Sequence, residues 1–261
     1  MNARRLVPLA LAAVVGVSVA CLDSTSAKSV PFGFVTLSAQ QAGAAYATAP
    51  VGSFFNAGGL GVPSTAAPWD SCRQQPYARS TVGLGDIYPS IDAGSAIQLR
   101  LSGRTDSLFP SAVGSAVQYI LHGAAIPYVP GDTVAVVIPG TTSGYPAVSF
   151  KAKTAEMLAI TPFVAPPVGS QLDLRWNAGQ DLNGALAVSF RYGALAADTL
   201  NAQIYCQFKD DGADSIPARY IGAWTQAKVK SWTISRVRTY VAPVARSGYF
   251  DFISTFDVPT P

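Results

Sequence analysis

Charge is scarce in this 261-residue chain: 13% of its residues are charged, where soluble domains carry about 25%. The acids are 14 Asp and a single Glu, Glu156, and the bases are 12 Arg and 6 Lys. Exposed helices are built largely from straight-chain charged residues, so this composition argues against coiled coil and long solvent-facing helices. Histidine is rarer still. The only one, His122, makes a His-rich metal site or a His-Glu-x-x-His helix impossible, and a Ser-His-Asp arrangement would have to run through it. It stands on the parity of Gln118 and Ile120, opposite Val117, Tyr119 and Leu121, and so reads as a partly exposed strand residue. Neither a Gly-x-Ser-x-Gly elbow nor a phosphate-binding Gly-rich loop ending in Lys-Ser/Thr occurs. No basic run is longer than Lys228-x-Lys230 or Arg236-x-Arg238, so a nucleic-acid footprint is absent. Those alternating bases are expected on the solvated face of a strand. No cofactor is expected.

What the chain has instead is apolar and turn-forming residues. Apolar types make up 49%, with 23 Gly and 19 Pro scattered rather than periodic, and 11 Tyr and 12 Phe among many Val, Ile and Thr. That mixture describes short strands joined by turns. The expected fold is all-β, with one or two β-sandwich domains of mainly antiparallel strands after a cleaved signal peptide.

The first residues carry an export address. Arg4 and Arg5 precede an apolar run from Leu6 to Val17, and Ser18, Val19, Ala20 and Cys21 follow. A basic start, a short apolar middle and a small-residue exit make a secretory signal, whereas a membrane span needs about 20 apolar residues. The exit resembles a bacterial lipobox, with Ala20 before the cut and the Cys21 thiol as acceptor for a diacylglycerol. It departs from that motif at Ser18, where Leu is usual. Ordinary cleavage after Ala20 or Ala27, giving a freely secreted or periplasmic protein, is the alternative. Asp23 lies two residues past Cys21 rather than directly after it, which by resemblance to known sorting signals favours the outer membrane. Loss of Arg4 and Arg5 with the leader leaves 16 bases against 15 acids. Residues 21–30 then form a small, polar tether between a lipid and the folded body.

Strict alternation marks strands in the second half. Leu172, Leu174 and Trp176 alternate with polar neighbours. Leu186, Val188, Phe190 and Tyr192 do the same, as do Ala202, Ile204, Cys206 and Phe208, and each such strand buries one face and wets the other. Residues 178–184 and 210–214 supply turn chemistry between them. Residues 216–224 predict a single helical turn, and 249–258 a closing strand. Residues 228–241 are ambiguous, with Trp232 and Ile234 on one parity and Val237, Thr239 and Val241 on the other; a bulge near Ser235 would reconcile them. In the first half, alternation appears at Ile97, Leu99 and Leu101, at Val117, Tyr119 and Leu121, at Val134, Val136 and Ile138, and at Val148 and Phe150. The Gly/Pro/Ser-rich stretch 50–89 is too long for a bare loop, and short edge strands are expected within it. Pro162, Pro166 and Pro167 mark a linker, dividing an N-terminal β domain, 31–161, from a C-terminal sandwich, 162–261.

The run Leu174-Arg-Trp-Asn-Ala-Gly, Val188-Ser-Phe-Arg-Tyr, Ile204-x-Cys206, Asp210-Asp-Gly, Ile216-Pro217 and Ile253-Ser-Thr-Phe resembles a segment of uncharacterised bacterial cell-envelope lipoproteins with an immunoglobulin- or fibronectin-like sandwich. The likeness covers residues 165–261 and consists of turns and core positions. It implies a fold and a location, and no activity.

Three sets of residues carry chemistry worth testing. Cys72 and Cys206 permit one disulfide, which requires Cα atoms within about 7 Å and is left open by the sequence. Asp210, Asp211 and Asp214 could hold Ca²⁺ but lack the alternating ligand order, and a hairpin or corner turn is the commoner explanation. Trp69, Trp232 and Tyr205, the last near Arg191, could present a sugar-stacking surface, with core filling as the alternative. The function expected is that of an exported, lipid-anchored binding or structural module. It would meet a protein or glycan partner and attach to the membrane through its lipid. A hydrolase or glycan-processing enzyme using Asp pairs, and an accessory subunit of an envelope assembly, are the alternatives.

Overall fold

A computed structural model of the chain describes residues 30–57, 69–77, 84–181, 184–194 and 197–258. Cys21, the expected leader and most of the tether lie outside the described residues. The body is β-rich, in agreement with the all-β expectation. Its first strand, β1 (Pro31–Ala42), is followed by β2 (Ala45–Thr48), β3 (Val51–Asn56) and β4 (Ser71–Pro76). After a short helix, α1 (Leu84–Ile87), come β5 (Ile97–Leu101), β6 (Arg104–Val113), β7 (Ala116–Leu121), β8 (Ile126–Pro127), β9 (Thr133–Ile138) and β10 (Val148–Lys153). The rest are β11 (Leu172–Arg175), β12 (Ala185–Tyr192), β13 (Ala202–Lys209), β14 (Ala213–Ile216), α2 (Ala218–Gln226), β15 (Lys230–Val244) and β16 (Gly248–Asp257).

Twelve of these strands run in the order β10-β9-β5-β6-β7-β3-β1-β16-β15-β12-β13-β4, with β2 and β8 attached beside β1 in the same sheet. A second sheet pairs β11 with β14. All neighbours are antiparallel except β1 and β16, whose parallel register sets Val35 beside Phe252. The two ends of the described chain thus meet in the middle of the sheet. The expected boundary at 161/162 does not interrupt it: β1 is bonded to β16, and β4 from the first half pairs with β13 at the far edge.

Alternation determines which side is dry. On β12, Leu186, Val188, Phe190 and Tyr192 are buried, and on β16 so are Phe250, Phe252 and Phe256. The sheet folds over so that Phe150 of β10 lays its ring against Tyr240, Phe250 and Phe252, with centroids 5.7 to 6.4 Å apart. Such face-to-face closure over interdigitated side chains is the physics of a sandwich. Under the second half, α2 turns Ile221 and Trp224 inward, three residues apart as a helical face requires. Trp224 meets the Phe190 ring edge-on at 4.7 Å. This helix spans nine residues rather than the expected single turn. Edge strands expected in 50–89 are present as β3 and β4, and only β4 ends up at an edge.

Two expectations fail on β15. Its pairing with β12 and with β16 runs without interruption through Ser235, so no bulge resolves its parity. The even-numbered residues all point inward, and they include Arg236 and Arg238, which are 0% and 1% exposed rather than solvated. The sequence pattern misleads here because the charges on the dry side are neutralised by partners far away in the chain.

Candidate functional site

The buried arginines stand at the centre of an ion network. Arg236 grips Asp210 side-on, Nε to Oδ2 at 2.7 Å and Nη2 to Oδ1 at 3.0 Å. It also donates through Nη1 to the Met157 carbonyl at 2.8 Å and through Nη2 to that of Asn177. Arg238 donates through Nε to Glu156 at 2.9 Å and through Nη1 to the Asp181 carbonyl at 2.9 Å. Trp176 completes the shell by donating its indole N–H to Asp210 Oδ1 at 3.0 Å. With the Asp181 carboxylate 3.8 Å from Arg238 Nη1, two cations meet three carboxylates, the arrangement a charge needs to survive burial. Room for the guanidinium of Arg238 comes from glycine: a Cβ at Gly184 would overlap its Nη1, and one at Gly179 would overlap Asp210. The network fastens Glu156, Met157, Asn177 and Asp181 onto β15.

Asp210 is consequently not available to a metal in the way its sequence cluster suggested. Its carboxylate faces inward, while Asp211 is exposed and Asp214 accepts its neighbour Ser215's N–H at 2.6 Å. No group of three or more potential ligands converges among the described residues. His122 is exposed just past β7, beside the Phe109 ring at 5.1 Å.

Cys72 and Cys206 face each other directly across β4 and β13, bonded, with Cα atoms 4.1 Å apart. The bridge points into the core, where Cys206 is fully buried. It therefore sets the parity of β4, so that Ser71, Arg73, Gln75 and Tyr77 turn to the opposite, outer side. There they continue a grid. One row across the sheet reads Thr233, Ser189, Tyr205, Arg73; the next reads Ser231, Arg191, Gln203, Gln75. The Arg73 guanidinium lies over the Tyr205 ring at 5.2 Å, and that of Arg191 over the Tyr77 ring at 4.7 Å. Such cation–π stacking holds the planar fork against the sheet. Arg191 also donates from Nε to Gln203 Oε1 at 3.3 Å. Among the described residues neither arginine has a carboxylate within ion-pairing distance. Lys209, at the margin of the same face, is already paired with Asp70 at 2.9 Å.

The aromatic candidates separate on inspection. Tyr205 belongs to this outer grid. Trp232 turns inward and packs on Phe163 with ring centroids 5.3 Å apart, a core role. Trp69 is 44% exposed in the turn before β4. Arg73 and Tyr77 were not singled out from sequence; the one signal that could have found them is the disulfide, since pairing Cys72 with Cys206 across adjacent strands places Arg73 opposite Tyr205.

A shallow recess of about 250 Å³ lies elsewhere, lined by Ser90, Ile91, Asp92, Pro110, Val117 and Tyr119. Its one carboxylate, Asp92, accepts the Gly94 N–H at 2.8 Å and lies 3.0 Å from the Tyr119 hydroxyl. Burial, with Asp92 nearby, pushes that hydroxyl up to about 12. A lone, internally bonded carboxylate does not provide the pair that glycoside hydrolysis requires. No family model matches the chain, and neither a curated protein nor a solved structure matches it.

Proposed function

We propose that this chain is an exported protein of the cell envelope that loses residues 1–20, is tethered to the outer membrane through lipid on Cys21, and acts as a binding module. The observation that carries this reading is the Cys72–Cys206 disulfide. Such bonds persist in oxidising compartments outside the cytoplasm, and an export-type leader precedes this one in the same chain. The two features are independent and point to the same side of the membrane. No described helix is long and apolar enough to cross a bilayer; several acyl chains on one cysteine would anchor the body without one. The contact surface is the polar outer face of the sheet, which meets a protein or a glycan.

Radiolabelled palmitate and cell fractionation test the tether. The wild-type chain incorporates label and sediments with membranes. Cys21→Ser loses the label and no longer sediments. Recovery of an uncut, unlabelled chain from the cytosol with Cys72 and Cys206 reduced would overturn the reading.

A further inference from the structure

We infer that the outer face over β4, β13 and β12 binds an anionic polysaccharide, with Arg73 and Arg191 as the residues that select acidic sugars. The inference deepens the binding-module reading and rests on it. Its basis is an imbalance of charge. Buried arginines in this protein are saturated with carboxylates, whereas these two outer ones have none among the described residues. Each is laid flat on a tyrosine ring, Arg73 on Tyr205 and Arg191 on Tyr77. A guanidinium immobilised in this way loses little further freedom when it grips a carboxylate or sulfate through two parallel N–H donors.

Spacing and neighbours favour a glycan over other polyanions. The Cα atoms from which Arg73 and Arg191 spring are two strands and two residues apart in register, which on a lattice of 4.8 Å by 3.4 Å is roughly 12 Å. That is the reach of a disaccharide repeat and far sparser than the phosphates of a nucleic acid. Gln75 and Gln207 flank the cations on the same face and make no side-chain hydrogen bond to other described residues. Primary amides both donate and accept, as vicinal sugar hydroxyls require. Peptide capture by strand addition would use the backbone along the β4 edge rather than the side chains of this face, and the grid forms no apolar anchor pocket.

Affinity electrophoresis of the full chain in mild detergent tests the inference, with polygalacturonate in the gel and its fully methyl-esterified form as the uncharged control. Polygalacturonate retards the wild-type chain and the ester does not. Arg73→Ala/Arg191→Ala weakens the retardation at least tenfold with an unchanged circular dichroism spectrum, while Arg100→Ala, an exposed arginine on β5, leaves it as it was. Equal retardation by polyglutamate would overturn the glycan assignment in favour of acidic protein. Retardation by no polymer, or loss equally with Arg100→Ala, would overturn the site. Neither result touches the palmitate experiment, which decides the tether separately.

Discussion

Two pairs of arginines occupy opposite faces of one sheet. Arg236 and Arg238 lie inside, enclosed by Asp210, Glu156 and Asp181 together with backbone carbonyls. Arg73 and Arg191 lie outside on tyrosine rings, with no carboxylate beside them among the described residues. The residue type is the same, and the surroundings assign the role. An enclosed, fully matched charge holds chain segments together, and removing one partner leaves the other buried and unpaired. An exposed, unmatched one contributes little to stability and is free for a ligand.

That contrast breaks most visibly at Asp210. Asp210→Ala leaves Arg236 buried without its carboxylate, at a cost of about 3–5 kcal/mol. For a body of this size the melting temperature falls by roughly 10 °C, which calorimetry reads directly. Next in size is the disulfide, which closes a separation of 134 residues. Cys72→Ala/Cys206→Ala costs about 2–4 kcal/mol. It also sharpens the comparison, because β4 pairs, among the described strands, with β13 alone and carries Arg73. Reduction should therefore abolish retention on acidic polymer at temperatures where far-ultraviolet circular dichroism still reports an intact sheet.

A smaller effect separates the faces by pH. Asp251 sits on the outer face of β16 between Phe34 and Val241, with Oδ1 buried and without a hydrogen-bond partner among the described residues. Burial pushes its carboxyl up to about 6. The folded chain then holds a proton that the unfolded chain has released, so this group's share of stability is full below about pH 4 and is lost as pH rises through 6. Asp251→Asn should stabilise the protein at pH 7 by about 1–2 kcal/mol, less than the full shift implies because the carboxylate is partly solvated. The gain should vanish below about pH 4, as urea titrations at the two pH values would show.

Legibility in the sequence followed the same division between faces. β12 and β13 were readable because apolar residues fill every inward position, and β16 because Phe250, Phe252 and Phe256 line its inward side with only Gly248 and Ser254 between and beside them. β15 was not, since arginines at two inward positions reverse the polarity pattern that marks a dry face. β1 escaped notice for the opposite reason. Phe32 is buried with Phe55 and Tyr88 on the outer side while Val35 and Leu37 are buried on the inner one, so alternation is lost over residues 31–34, where both faces are covered, and is left only to the short run 35–39. The turn at 210–214 was recognised, yet the inward role of Asp210 depends on Arg236, which no local pattern reveals. Arg73 and Gln75 of the outer grid lie on β4, a short, mostly polar edge strand whose facing is defined by its bridge to Cys206, and Tyr77 follows it.

Thermal unfolding of Arg73→Ala/Arg191→Ala beside Arg236→Ala tests the division most directly. The outer double variant should melt within about 4 °C of wild type, the scale of two surface cation–π contacts, and the inner single variant should fall by roughly 10 °C. Equal losses, or a larger loss from the outer pair, would contradict the claim that the inner arginines secure the fold and the outer ones are held in reserve for a ligand.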